Sequence, residues 1–171
     1  MNTPATNRHG SATIELQGDR EYIVTRKFDA PAELIFQAHT TPELIKQWWG
    51  FETSEWLVCE VDFRVGGHWR NVLRDGGIQV GFHGTYLEID RPNRLVLTEV
   101  FEGAPVPKGG HIDDTGTVNT TTLEEDGNGV TTMTVHVRHA LPEHRDAMLE
   151  TGMESGMQVS YNRLEDLIRA T

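Results

Sequence analysis

Residues 142–171 read PEHRDAMLETGMESGMQVSYNRLEDLIRAT, and this stretch decides the fold. No proline follows Pro142, so the pattern predicts one helix of roughly 28 residues, about 42 Å long at 1.5 Å per residue. Its apolar residues recur at spacings of three and four, which places them on one face. They are Leu149, Met153, Met157, Tyr161, Leu164 and Ile168. Such a face needs another layer of structure to cover it.

The middle of the chain supplies that layer as a sheet. Runs rich in apolar and β-branched residues alternate with turns that contain glycine, proline or aspartate. After residue 55 no helical segment separates these runs and most connections are short, so the sheet is predicted to be antiparallel. Gly81 and Gly84 let it bend around the helix. The predicted strands cover residues 21–28, 55–63, 67–74, 78–90, 94–102, 115–124 and 130–138.

Two short helices are predicted between the first two of these strands. Pro31 suits the first turn of one helix, and Thr41-Pro42 begins a second that Gly50 ends. The 171 residues fit one α+β domain over 20–171, closed by the long C-terminal helix. Residues 1–19 show no sustained periodicity and are predicted to be a flexible N-terminal segment. An edge strand over residues 12–16 is the alternative.

Charge and cysteine content limit the classes of partner and compartment. The formal net charge of -11 and the scattered basic residues disfavour nucleic acid and anionic lipid as partners. The N-terminal stretch has no apolar run of signal-peptide length, and the rest has none long enough for membrane insertion. The single Cys59 agrees with a reducing compartment, so a cytoplasmic location is expected. The sequence leaves a homodimer open.

Aromatic, methionine and polar residues on the predicted strands and helices are the candidates for a ligand pocket. Large apolar side chains can equally form an ordinary core, which is the alternative. Methionine suits a pocket wall because its unbranched side chain repacks around different ligands, and a few polar groups orient the ligand. The candidate ligand-binding residues are Trp48, Trp69, Phe82, Glu99, Asn119, Thr121, Met153, Met157 and Tyr161. His68 and Arg70 are expected to face solvent.

No motif for metal, cofactor or nucleophilic chemistry is found. His136 and His139 are three residues apart and would face opposite sides of a strand. His68 and His83 lie on neighbouring strands, but no Cys, Asp or Glu pattern completes a metal site with them. Glycine-rich phosphate loops and serine elbows are absent from the sequence. No metal or cofactor is therefore expected.

Several motifs resemble the START-like, or polyketide cyclase/dehydrase-like (SRPBCC), superfamily, and most of all its group named after the activator of Hsp90 ATPase. The resemblance extends over nearly all of residues 21–168. It implies a helix-grip fold, a curved antiparallel sheet wrapped around the C-terminal helix, with a cavity between them. The residues that carry it are Ala30-Pro31-Ala32-Glu33 through Phe36, Thr41-Pro42-Glu43, Trp48-Trp49-Gly50, Gly66-Gly67-His68-Trp69-Arg70, Phe82-His83-Gly84-Thr85-Tyr86-Leu87-Glu88-Ile89 and Pro92-Asn93-Arg94-Leu95-Val96-Leu97-Thr98.

Three functions are compatible with this resemblance. The first is binding of a small hydrophobic or amphipathic molecule in the cavity, since members of the superfamily bind such ligands. The second is an enzyme of the polyketide cyclase/aromatase or dehydratase type in the same cavity, with Glu99 and His83 as weak catalytic candidates. The third is a chaperone partner, suggested by the group's name alone. Fold cannot decide among them.

Overall fold

The computed structural model describes residues 6–106 and 108–171. Eight strands and four α-helices lie within these residues, with a short 3-10 turn at Ile112–Thr115. The strands are β1 Thr13–Gln17, β2 Glu21–Phe28, β3 Glu55–Val61, β4 His68–Asp75, β5 Ile78–Asp90, β6 Arg94–Phe101, β7 Thr117–Glu125 and β8 Thr131–His139. The helices are α1 Ala32–Thr40, α2 Pro42–Trp48, α3 Pro142–Glu150 and α4 Met153–Arg169.

The strands form one antiparallel sheet in the order β1-β2-β8-β7-β6-β5-β4-β3. Seven of them were predicted from the sequence, and their bounds differ from the prediction by two residues or fewer. Hairpin connections set this order from β3 to β8, while α1 and α2 carry the chain from β2 across to β3. The sheet curves around α4, so the predicted α+β helix-grip fold is confirmed.

The C-terminal segment contains two helices, so the predicted single helix of about 28 residues is wrong. α3 and α4 are separated at Thr151 and Gly152. Gly152 has φ 76°, a left-handed conformation that glycine adopts without a Cβ clash. Of the two C-terminal helices, only α4 carries buried residues, among them Leu164 and Ile168. This 17-residue helix is therefore the one that the sheet wraps.

The predicted flexible segment over residues 1–19 needs correction where the structure describes it. β1 pairs with β2 along Thr13–Gln17, which is the edge strand of the alternative. Before it, residues 6–12 run along α4, where the Gln158 side chain bonds the backbone N–H and C=O of Ala12 at 3.1 and 2.7 Å. Bonds to backbone groups leave no periodic pattern in a sequence, so the prediction missed them. Residues 1–5 lie outside the described residues.

The core lies between the sheet and the helices. α1 buries Ile35 and Phe36 against it, and α4 contributes Leu164. The Trp48 indole N–H at the end of α2 donates to the Ala38 carbonyl at 2.8 Å, which satisfies its buried donor. Among the described residues, no helix combines the length and the apolar character that crossing a membrane would require.

The sheet bends where β5 crosses β6 at Gly84. Backbone pairing stops after His83 opposite Val100 and resumes at Tyr86. Within the gap, the Thr85 N–H donates to the Thr98 hydroxyl at 2.9 Å, and the Trp69 indole N–H donates to the Thr98 carbonyl at 3.1 Å. A Cβ on Gly84 would lie 1.7 Å from that carbonyl oxygen and 2.6 Å from the Trp69 Nε1. Glycine is therefore required for the bend.

Candidate functional site

The inner face of the sheet, which faces α4, is defined by alternation along each strand. In β2, Tyr22, Val24, Arg26 and Phe28 are buried, while the residues that alternate with them are more exposed. The strand register places Val137, Asn119 and Leu97 in one row with Tyr22, across β8, β7 and β6. Successive side chains of a strand point to opposite faces, so residues of one row share a face.

Glu99 lies in the neighbouring row of this face, beside Thr117 of β7, which in turn pairs with His139 of β8. By accessible area its side chain is only half-buried, yet surrounding protein desolvates it enough to raise its pKa to about 7. Glu99 is thus largely surrounded by protein, yet its side chain keeps part of its solvent-accessible area. No described residue donates a hydrogen bond to the carboxylate, and burial alone accounts for the shift.

Two tyrosines face Glu99. Burial raises the pKa of both Tyr22 and Tyr161, and the nearby charge of Glu99 raises it further. Neither hydroxyl has a hydrogen-bond partner among the described residues, and neither oxygen is among the buried polar atoms that are wholly inaccessible. The same is true of the Glu99 carboxylate oxygens. Polar atoms that lie deep, lack a partner and remain accessible are free to bind a molecule.

Apolar side chains lie on the inner face on either side of β6, the strand that carries Glu99. Met153 and Met157 pack with Tyr22 over the β2–β8 side of the inner face. On the β5 side, the centroid of the Phe82 ring lies 5.4 Å from that of Phe101 and 5.2 Å from that of Trp49. We use the name inner-face cluster for Tyr22, Phe82, Glu99, Asn119, Thr121, Met153, Met157 and Tyr161.

His83 lies on the opposite face of the sheet from Glu99. It pairs in register with Arg70 and Val100, and its Nε2 lies 2.6 Å from Asp113 on the loop that precedes β7. Its Nδ1 lies 3.6 Å from Glu102. The structure therefore separates the two residues that the sequence suggested as catalytic, and they cannot act on one ligand.

The remaining predicted residues divide between the inner-face cluster and the core. Asn119 and Thr121 are half-buried on β7, and the Asn119 carboxamide oxygen accepts from the Thr117 hydroxyl at 2.9 Å. Trp48 and Trp69 are buried, and their indole N–H groups donate to backbone carbonyls, as expected if both belong to an ordinary core. The expected outward-facing pair, His68 and Arg70, is exposed.

Sequence reasoning missed Tyr22 and His139. Tyr22 belongs to the buried alternation of β2, so its inward position was recoverable from the pattern of that strand. His139 is buried at the end of β8, and burial, followed by the charges of His144 and Arg145, lowers its pKa to about 4. It is therefore neutral near pH 7. From the sequence, His139 stood out only as a possible metal ligand with His136, because its burial depends on how α3, the next helix along the chain, packs against the end of β8.

Other clusters and clefts of the molecule give weaker support for a binding site. His9, Glu165 and Asp166 bring three metal-type ligand atoms within 4.8 Å of one another. However, Arg26 and Arg169 already lie 3.4 and 3.2 Å from Glu165, so arginine supplies the positive charge there. Two surface clefts of about 680 and 210 Å³ contain no residue of the inner-face cluster. They lie beside the β5–β6 turn and beside the end of β6, where Pro92 and Glu102 are found, respectively.

Glu99→Gln should change how stability depends on pH. Because the Glu99 pKa is raised, its contribution to folding is fully present below its ordinary pKa and is lost as pH rises through about 7. Glutamine does not ionise and avoids that loss. Relative to wild type, the variant's free energy of unfolding should therefore rise by about 2–3 kcal/mol between about pH 5 and about pH 8, after a discount for partial exposure.

Urea denaturation at the two pH values measures this difference. Glu124→Gln, an exposed position on β7, is the matched control. An equal difference between Glu99→Gln and wild type at both pH values would show that Glu99 is not desolvated.

A family model described as "Activator of Hsp90 ATPase homolog 1-like protein" matches residues 29–169. Solved structures agree with it at the level of the fold. A protein from Rhodobacter sphaeroides has a TM-score of 0.81 at 24% identity, covering 94% of this chain and 99% of the other. A Mycobacterium smegmatis protein has a TM-score of 0.79 at 22% identity, covering 94% and 98%. A Staphylococcus epidermidis protein has a TM-score of 0.76 at 26% identity, covering 92% of this chain and 94% of the other.

Curated relatives match over a shorter stretch. The tRNA pseudouridine synthase B proteins of two Synechococcus strains are 30% identical to this chain over 105 residues. The match covers 56% of this chain but only 35% of those proteins. It therefore leaves most of their length without a counterpart.

Proposed function

The chain belongs to the Activator of Hsp90 ATPase homolog 1-like family, and from this premise we propose that it binds a small hydrophobic or amphipathic molecule between the sheet and α4. One observation carries the proposal: Glu99, Tyr22 and Tyr161 present accessible polar atoms that no described residue satisfies. Because these atoms are accessible and have no protein partner, a ligand that offers hydrogen bonds can take the place of water there.

The surroundings of these polar atoms define the kind of molecule. Met153 and Met157 on one side and Phe82 on the other would contact an apolar body. A ligand site of this type is mostly apolar, with a few polar groups that orient the ligand. The flexible methionine side chains can adjust to ligands of different shape. The inner-face cluster combines both kinds of group.

Met157→Trp tests the proposal by filling the space that the ligand would occupy. Wild type should show thermal shifts and native mass-spectrometry adducts with members of a panel of apolar and amphipathic compounds. The variant should lose this binding while its free energy of unfolding stays level or rises, because the indole occupies free volume. Val159→Trp, on the exposed side of the same helix, is the matched control and should keep the binding.

Two results would contradict the proposal. One is that no compound of the panel binds the wild-type protein by either method. The other is that Met157→Trp destabilises the fold by about 1–3 kcal/mol, as overpacking of a filled core does, while binding is unchanged.

A second function uses the same residues for catalysis. A carboxyl group with a pKa near 7 is suited to general acid or base work at neutral pH, and Glu99 has that property beside two tyrosine hydroxyls. Prolonged incubation of each bound compound, followed by mass spectrometry, should then reveal a product that Glu99→Gln does not form. Recovery of every bound compound unchanged would count against catalysis.

The other expectations from the sequence are unchanged by this proposal. The lone Cys59 continues to favour a cytoplasmic location. The net charge of -11 continues to disfavour nucleic acid as a partner. A chaperone partnership rests on the family's name, and a homodimer stays open.

A further inference from the structure

We propose that the molecule bound in the inner-face cluster carries a basic nitrogen on an apolar or aromatic body, and that the Glu99 carboxylate binds this nitrogen. The inference rests on the proposed function and deepens it by naming the ligand class. On the inner face, Glu99 faces α4, and no cationic side chain among the described residues forms an ion pair with it.

Two other carboxylates that are partly or fully buried, Glu165 and Glu102, have arginine partners. Glu165 lies 3.4 Å from the Arg26 guanidinium and 3.2 Å from that of Arg169. Glu102 lies 2.7 Å from the Arg70 guanidinium. Proteins pair buried charges in this way because an unpaired charge is strongly disfavoured away from water. Glu99 departs from the rule.

Within the part of the chain that the structure describes, no positive side chain on the inner face is free to reach Glu99. The Arg26 guanidinium is buried and occupied by Glu165 and the Lys27 carbonyl. His139, in the same row as Glu99, has a pKa of about 4 and is neutral near pH 7. The titratable groups that face Glu99 are thus Tyr22 of β2, Tyr161 of α4 and His139 of β8, all neutral when Glu99 ionises.

A ligand ammonium group would supply what this arrangement lacks. It has N–H donors, and the Glu99 carboxylate and the two tyrosine hydroxyl oxygens are acceptors without partners. Hydrogen bonds between an ammonium and a carboxylate are shorter and stronger than neutral ones. Aromatic faces also attract cations, and Tyr22, Phe82 and Tyr161 supply such faces around the site.

Other ligand chemistries fit less well. An anionic ligand would bring a second negative charge next to Glu99. A neutral ligand that only accepts hydrogen bonds would need protonated Glu99, so its binding would weaken as pH rises through about 7. An amine should behave in the opposite way, since its affinity increases as Glu99 loses its proton.

Three probes with one body separate these cases: 4-phenylbutylamine, 4-phenylbutanol and 4-phenylbutyrate. Isothermal titration calorimetry with wild-type protein at about pH 8 should show the amine binding about tenfold or more tightly than the alcohol, a difference of about 1.4 kcal/mol. The acid should bind more weakly than the alcohol. Amine affinity should fall several-fold at about pH 5, where Glu99 is protonated.

Glu99→Gln should reduce the amine to the affinity of the alcohol, and Glu124→Gln should keep the wild-type preference. Equal affinity for amine and alcohol, or an amine preference that survives Glu99→Gln, overturns the inference and leaves the proposed function standing. So does a failure of all three probes when other compounds of the panel bind. If the whole panel also fails to bind, both the proposed function and this inference are wrong.

Discussion

Glu165→Leu is expected to lower the free energy of unfolding by about 3–5 kcal/mol, because it leaves the Arg26 guanidinium buried without a carboxylate. The Arg26 side chain is 0% exposed and that of Glu165 is 3% exposed. Burial already lowers the Arg26 pKa, and Glu165 is the main opposing influence. Without Glu165, the guanidinium would keep its bond to the Lys27 carbonyl and its contact with the Phe28 ring, but its Nε already has no hydrogen-bond partner among the described residues and no other carboxylate pairs with it.

The opposite single change should be milder. Arg26→Met leaves Glu165 in contact with the Arg169 guanidinium, the His9 ring and the Arg8 backbone N–H. We therefore expect a loss of about 1–2 kcal/mol, smaller than that for Glu165→Leu. The double variant Arg26→Met/Glu165→Leu should recover most of the loss, since replacing both members of a buried pair by apolar residues is often neutral.

Denaturant unfolding of the two single variants and the double variant measures this cycle. If Glu165→Leu is too unstable to fold, the free energy of unfolding of the double variant can still be measured, because that variant lacks the buried charge. A double variant no more stable than Glu165→Leu would show that the uncompensated arginine is not the cause of the loss.

Gly84→Ala is expected to destabilise the fold by about 3–5 kcal/mol. The added Cβ would meet the Thr98 carbonyl oxygen at 1.7 Å, and a backbone atom of a central strand cannot move aside freely. Overpacking contributes about 1–3 kcal/mol. Displacing the Trp69 indole and the Thr98 hydroxyl from their hydrogen bonds adds about 1 kcal/mol for each.

Gly81→Ala on the same strand is the matched control. Its Cβ would meet the Glu102 carboxylate at 2.7 Å, the end of a flexible side chain that can move away. We expect a change within about 1 kcal/mol by urea denaturation. If Gly84→Ala is as well tolerated as Gly81→Ala, the bend does not depend on glycine.

The fold was largely predictable from the sequence because it depends on local patterns. β2 and β5 were predicted at the residues where they occur, since alternation and turn residues mark strands directly. The break at Gly152 was missed because an apolar stripe continues across it, from Leu149 to Met153. Residues 6–12 were missed for a different reason: they bind α4 through backbone groups, which any sequence possesses.

The candidate site was less predictable because it depends on which face each strand presents. Glu99 was identified as a candidate, but alternation alone could not show that it faces α4 while His83 faces away. Register across β5, β6 and β7 decides that question, and register is a property of the assembled sheet. The buried Arg26 was unexpected because arginine on a strand is usually solvated.

Beside Gly84, two hydrogen bonds that involve side chains replace backbone pairs to β6: the Thr85 N–H of β5 donates to the Thr98 hydroxyl, and the Trp69 indole of β4 donates to the Thr98 carbonyl. A crease in the sheet therefore lies at this gap in the β5–β6 ladder, with His83 paired to Val100 before it and Tyr86 paired to Leu97 after it. Flexing at the crease breaks two side-chain bonds and leaves the ladder pairs on both sides intact. Local openings of this kind expose single amides, so the Thr85 amide should exchange with deuterium sooner than its paired neighbours. The sheet can then open locally at Gly84 while the strands on both sides stay folded.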